Sequence, residues 1–170
     1  MHVGVHTAIA APCGDYDVET LLAHVVAVLR KLATVGRGED MTAVTDPADD
    51  VAKRGAAEFL LARADLESVW TNDAALDKLH TVAWGTMTGR ELLDAYTHEL
   101  TVHAWDLARA TGRGHDLDPA LAEAALEWFT DNVPPGARSE DGPFGPVVEV
   151  DHDADIYTGL AGYVGRSVHQ

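Results

Sequence analysis

The longest regular pattern of apolar and polar positions runs from Thr88 to Gly112. Thr88 followed three residues later by Glu91 has the form of a capping box, and Gly112 after an arginine-containing last turn is a helix stop, so one long helix is expected between them. At about 100° per residue, Leu92, Tyr96, Glu99, His103, Asp106 and Ala110 share one side of it. Upstream, Asp17 is placed to cap a helix from Val18 to near Thr34 with the stripe Leu21, Val25, Val28 and Leu32. Asp46-Pro47 supplies a cap and a proline for a helix reaching Val69, with Val51, Ala52, Ala56, Phe59, Leu60 and Leu66 as its apolar positions. Asp118-Pro119 repeats that start for a helix through Asn132, with Leu121, Ala125, Leu126 and Phe129 inward, and Pro134-Pro135 ends it. Asp151 or Asp153 opens a last helix through Tyr163. Only Leu79–Trp84 and Val147–Val150 have strand character, so the fold expected is all-α with at most a small two-stranded ribbon made from those two runs. Residues 36–46, 73–77 and 139–146 read as connections, and residues 1–11 carry no clear pattern.

A chain of 170 residues with 46% hydrophobic composition suits one compact domain over residues 1–170. Lys+Arg 12 against Asp+Glu 28 gives a net charge of −16, which repels a phosphate backbone and an anionic membrane surface alike. Nucleic acid and membrane are therefore not expected as partners. No apolar run approaches the ~20 residues of a membrane span, and the start lacks the pattern of a signal peptide, so a cytoplasmic location is expected. The single cysteine, Cys13, forms no intrachain disulfide and no thiolate cluster, which leaves any metal to histidine and carboxylate.

Glu99 and His103 stand four apart on the long helix, so both side chains reach one divalent ion placed a turn's height between them. Asp106, one turn further on, is placed to orient the imidazole through its other ring nitrogen. The competing reading is an ordinary surface pair, with Trp105 and Leu107 facing the core; a third ligand is needed to displace it. His24 is the best available, lying on or beside the stripe of the first helix, although a lone inward histidine is more often plain core. His98, five residues from His103, points around the helix, and His80, His115, His152 and His169 have no helical partner. Asp106 with Arg109 as a local ion pair weighs equally with an orienting role. Cys13 reads as a packed turn residue ahead of a reactive thiol, and Tyr96 as packing at least as readily as a hydrogen-bond donor to a ligand.

The segments PCGDYDVETLLAHVV, ELTVHAWDLARATG and GPFGPVVEVDHDADIYTGLAGYVGR, in that order, resemble the actinobacterial DinB-like metal-binding proteins related to mycothiol-dependent maleylpyruvate isomerase. The resemblance covers nearly everything from Pro12 to Arg166. It implies a DinB/YfiT-like helical bundle in which one helix gives a histidine and another a Glu-x-x-x-His pair to a divalent metal. Carried onto this chain, the ligands are His24, Glu99 and His103. Family members carry a further helix ahead of the PC-containing turn, whereas only eleven residues precede Pro12 here. The first bundle helix is thus expected to be missing, and a homodimer to cover the faces it would protect on the helices beginning at Val18 and Thr88.

A His/His/Glu set leaves a coordination position open, as catalytic sites do. Zinc is the first expectation, with nickel or cobalt also suited to such donors. Kinship to a mycothiol-dependent isomerase implies a low-molecular-weight thiol and a metal-dependent thiol transferase or isomerase acting on a small electrophilic substrate. The alternative is a catalytically silent divalent-metal or small-ligand binding module, in which the metal chiefly pins two helices together.

Overall fold

Helix α1, Val18–Gly36, opens the described fold. The computed structural model describes residues 16–49, 55–138 and 142–168. Asp17 caps α1 by accepting from the Thr20 amide at 2.8 Å, and a dense run of small and β-branched residues lets the helix bury more than one face. The stripe read from the sequence, Leu21, Val25, Val28 and Leu32, is buried within the chain, so it is not left for a partner.

The second helix, α2, covers Ala56–Val69 and packs along α1. The two run parallel, since Arg30 pairs with Glu58 at 2.6 Å and Arg37 with Asp65 at 3.0 Å. Three expectations are corrected here. Residues 41–49 form a short 3-10 turn, Met41–Ala43, and irregular chain, with no helix starting at Pro47; Val51 and Ala52 lie outside the described residues. The Asp46 carboxylate is engaged with side chains of α1, which takes it away from capping. On α2 itself Phe59 and Leu66 pack against α1 as expected, but Glu58 is buried at 3% exposure against Arg30, while Leu60 and Leu61 are 61% and 58% exposed. A buried carboxylate is tolerated because the guanidinium neutralises it, and satisfying that pair turns Leu60 outward.

A short helix α3, Asp73–Asp77, leads into strand β1, Leu79–Val82, which pairs antiparallel with β2, Gly85–Thr88. The ribbon is therefore a local hairpin turning at Ala83-Trp84, and Val147–Val150 is not its second strand. Adjacent strands joined by two residues pair at much lower entropic cost than runs some sixty residues apart.

Helix α4, Gly89–Thr111, has the capping box at Thr88 and Glu91 and the left-handed Gly112 (φ 70°) at its end. It runs antiparallel to α1: Leu92 meets Leu32 and Val35 at one end, and Leu107 meets Leu21 and Val25 at the other. Its opposite face, with Val102 and Trp105, packs with Ala122, Ala125 and Phe129 of α5, Pro119–Asn132, and with Tyr157, Leu160 and Val164 of α6, Ile156–Tyr163. Leu121 points outward, 48% exposed, and Ala122 takes the inward place. The last helix opens at Asp155, whose side chain accepts from the Tyr157 and Thr158 amides, and not at Asp151 or Asp153. The result, among the described residues, is a helical bundle with one two-stranded ribbon. Among the described residues, no helix is long and apolar enough to cross a membrane.

Candidate metal centre

Because α1 and α4 are antiparallel, a residue early in α1 faces one late in α4. His24 and His103 are such a pair, their rings 5.0 Å apart and nearly perpendicular at 80°. Glu99, one turn before His103, brings its carboxylate to 3.8 Å from His103 Nε2. One donor atom from each of His24, Glu99 and His103 lies within 4.8 Å of the others. Four-coordinate donors about 2.1 Å from an ion stand roughly 3.4 Å apart, so the trio needs to draw in by about an ångström. Glu99, its side chain 30% exposed against 7% for His103, has the freedom to do so.

Each imidazole also has a carboxylate on its other nitrogen. His103 Nδ1 donates to Asp106 Oδ2 at 3.1 Å, and His24 Nδ1 donates to Asp46 Oδ1 at 2.8 Å. A carboxylate only accepts, so in the neutral form of each ring these contacts favour the proton on Nδ1, which would leave Nε2 with its lone pair. That is the donor set a divalent ion requires, and the residues present fit one.

The carboxylates are in turn held by cations. Asp106 is fully buried and takes hydrogen bonds from Arg166 at 3.2–3.3 Å, while Asp46 accepts from Lys31 Nζ at 2.6 Å. Arg166 reaches α4 because the chain reverses after α6 at Gly165, which has φ 86° and lies so close to Gly145 that a Cβ would sit 2.7 Å from its backbone. Arg109 is not the partner of Asp106: it donates to the Val168 carbonyl at 3.0 Å and lies over the Trp105 ring.

The electrostatics follow from this enclosure. Burial works against a charged His103, but the hydrogen bond to Asp106 and the nearby Glu99 carboxylate outweigh it and raise the pKa of the metal-free imidazole. Burial likewise works against the Asp46 carboxylate, and Lys31 and His24 overcome it, leaving its pKa lowered. Tyr96 is shifted upward by burial and by the negative Glu99, with a smaller push from Asp46, so its phenol stays protonated beside the centre. It packs with Val28, Leu32 and Leu92 and stands 6.4 Å from Trp84. Tyr16, at the mouth of α1, meets the His24 ring edge-on at 5.9 Å.

The remaining histidines fall elsewhere. His98 is buried against Trp128, with rings 5.3 Å apart, and its Nδ1 has no hydrogen-bond partner. His80 lies tilted against Trp70, and His152 is exposed. Cys13 and His169, and the side chain of His115, lie outside the described residues. Sequence reasoning missed Asp46, Lys31 and Arg166. Lys31 had a periodic signal, since it stands seven residues after His24 on the same helical face; Arg166 had none.

Residues 7–108, which include all three donors and both orienting carboxylates, match the profile of the mycothiol maleylpyruvate isomerase N-terminal domain. Two uncharacterized proteins of Mycobacterium tuberculosis, one from strain CDC 1551 / Oshkosh and one from strain ATCC 25618 / H37Rv, are each 27% identical over 159 residues, covering 92% of this chain and 83% of the relative. No solved structure matches the chain significantly. With more than half of its length matched by that profile, the chain belongs to the mycothiol maleylpyruvate isomerase N-terminal domain family.

Proposed function

We propose that the protein is a metal-dependent thiol transferase or isomerase, with His24, Glu99 and His103 as ligands of one divalent ion, zinc first among the candidates. The observation that supports this reading is the double pairing of the histidines: each has a carboxylate on Nδ1, and one donor atom of each lies close to the other and to Glu99. A structural accident supplies one such pair readily, but two converging on a third carboxylate match what a metal requires. When bound, the ion supplies an electrophilic centre with an open position, able to lower the pKa of a thiol or a water presented there.

The chain's own residues supply the rest. Asp106 and Asp46 hold the rings in place, Arg166 and Lys31 compensate their charge, and Tyr16 meets the His24 ring edge-on. The substrate is a small electrophilic molecule that takes up a low-molecular-weight thiol of the mycothiol type, a step that rests on family kinship. Uptake of zinc, nickel or cobalt by untagged, metal-stripped protein, followed by a screen of thiol and electrophile pairs, tests both parts. Uptake without turnover of any pair leaves a metal-binding module; absence of uptake removes the whole reading.

A further inference from the structure

Asp46 lies on the connection between α1 and α2, outside the two helices that carry the three donors. Its carboxylate bridges two side chains of α1, accepting from His24 Nδ1 at 2.8 Å through Oδ1 and from Lys31 Nζ at 2.6 Å through Oδ2. His24 and Lys31 are seven residues apart, which is two turns and one helical face. The connection is further held to α1 by the Ala48 amide, which donates to the Ala23 carbonyl at 3.1 Å beside the ligand. The three side chains are each about one-fifth exposed, so the charge of Asp46 is only partly screened by water and Lys31 is its local counter-ion.

We propose that Asp46, steadied by Lys31, is a positioning residue for His24: it holds the proton on Nδ1 and fixes the ring so that Nε2 faces Glu99 and His103. This deepens the metal-centre reading and rests on it. The rival role is a mere tether, in which Asp46–Lys31 fastens the connection and the imidazole is incidental. The two roles differ in what they move. A tether changes the stability of the connection, whereas a positioning group changes the tautomer of His24 and, through it, metal affinity. Coupling between ligand and connection is reciprocal, so an ion at Nε2 also tightens the His24–Asp46 contact and slows exchange at the Ala48 amide.

The experiment uses full-length protein with Asp46→Asn, Asp46→Glu and Lys31→Met, and His24→Ala as the loss-of-ligand control. Long-range proton–nitrogen correlation spectra of the metal-free protein at about pH 8.5, above the usual histidine range, read the tautomer directly. Wild type is expected as Nδ1–H, Asp46→Asn to shift toward Nε2–H, and Asp46→Glu to return it. Cobalt titration is expected to show ~10–100-fold weaker binding for Asp46→Asn, a smaller loss for Lys31→Met, and none bound at the site in His24→Ala. Zinc is expected to slow Ala48 amide exchange in wild type and not in Asp46→Asn. Wild-type His24 as Nε2–H, or Asp46→Asn binding cobalt within twofold of wild type, overturns the proposal. Wild-type protein that takes up no metal overturns the metal centre itself, and the tautomer spectra, run without metal, still decide whether Asp46 sets the ring.

Discussion

Replacing Arg166 by Met separates the support of the centre from the centre. Asp106 is fully buried, and its two partners are His103 Nδ1 at 3.1 Å and the Arg166 guanidinium at 3.2–3.3 Å. Methionine keeps most of the apolar stem but strands the carboxylate with one partner. Removing one member of a buried pair costs about 3–5 kcal/mol. The Arg166 contacts are longer than the 2.7–2.9 Å of strong charge-assisted bonds, which places the expected cost near the lower end, about 3 kcal/mol. At roughly 2–4 °C per kcal/mol for a chain of this size, the melting temperature falls by about 6–12 °C. Urea unfolding in the presence of chelator measures the loss without metal linkage. The double variant Asp106→Leu with Arg166→Met removes both charges and is expected to regain most of that stability, as apolar replacement of buried pairs commonly does. Its metal affinity is nonetheless expected to fall ~10–100-fold, because His103 has lost its orienting carboxylate. A single Arg166→Met variant within about 0.5 kcal/mol of wild type refutes the claim that Asp106 depends on this pair.

Three further outcomes are expected. His103→Ala abolishes metal uptake and the thermal stabilisation metal gives, while His98→Ala, which unpacks Trp128, lowers metal-free stability but leaves the affinity for cobalt unchanged; equal damage from both would count against the assignment. In the metal-free protein the raised pKa of His103 contributes stability that is complete below the unfolded value near ~6.5 and is lost as pH rises through the folded value, whereas metal needs the neutral ring. The stabilisation by zinc should therefore grow as pH rises through that range, and scanning calorimetry with and without zinc that shows it flat or falling would contradict the linkage. Association of two copies is proposed through the outer face of α2, where Ala57, Leu60, Leu61 and Ala64 are exposed on one side of the helix. Each copy carries −16, so light scattering should show more dimer as salt screens the repulsion, and a salt-independent monomer, or a dimer unaffected by Leu60→Lys, would rule that face out.

What was legible in the sequence, and what was not, follows the range of the forces involved. Asp17, Thr88, Asp118 and Gly112 act on backbone groups within one turn, and each cap stands where local chemistry puts it. The spacing of Glu99, His103 and Asp106 is equally local and survives into the folded chain. His24 needed one more fact, the antiparallel crossing of α1 over α4, which its stripe position made admissible without specifying the partner. Asp46 misled because its two possible uses compete: beside a proline it has the form of a helix cap, yet an imidazole and an ammonium twenty-two and fifteen residues away offer it stronger, charge-assisted bonds. The same competition acts on α2, where Phe59 and Leu66 pack as expected but Glu58 is buried with Arg30 and Leu60 is exposed. Arg166 is the extreme case, sixty residues from Asp106 and delivered by a glycine turn after the last helix, with no periodicity to mark it. The contacts missed at the centre are thus long-range and charge-assisted: Asp46 with His24 and Lys31, and Asp106 with Arg166. Local rules place the candidate ligands on their helices and Asp106 beside His103; what they cannot foresee is the Asp46 contact with His24 and the cations, Lys31 and Arg166, that hold the two carboxylates.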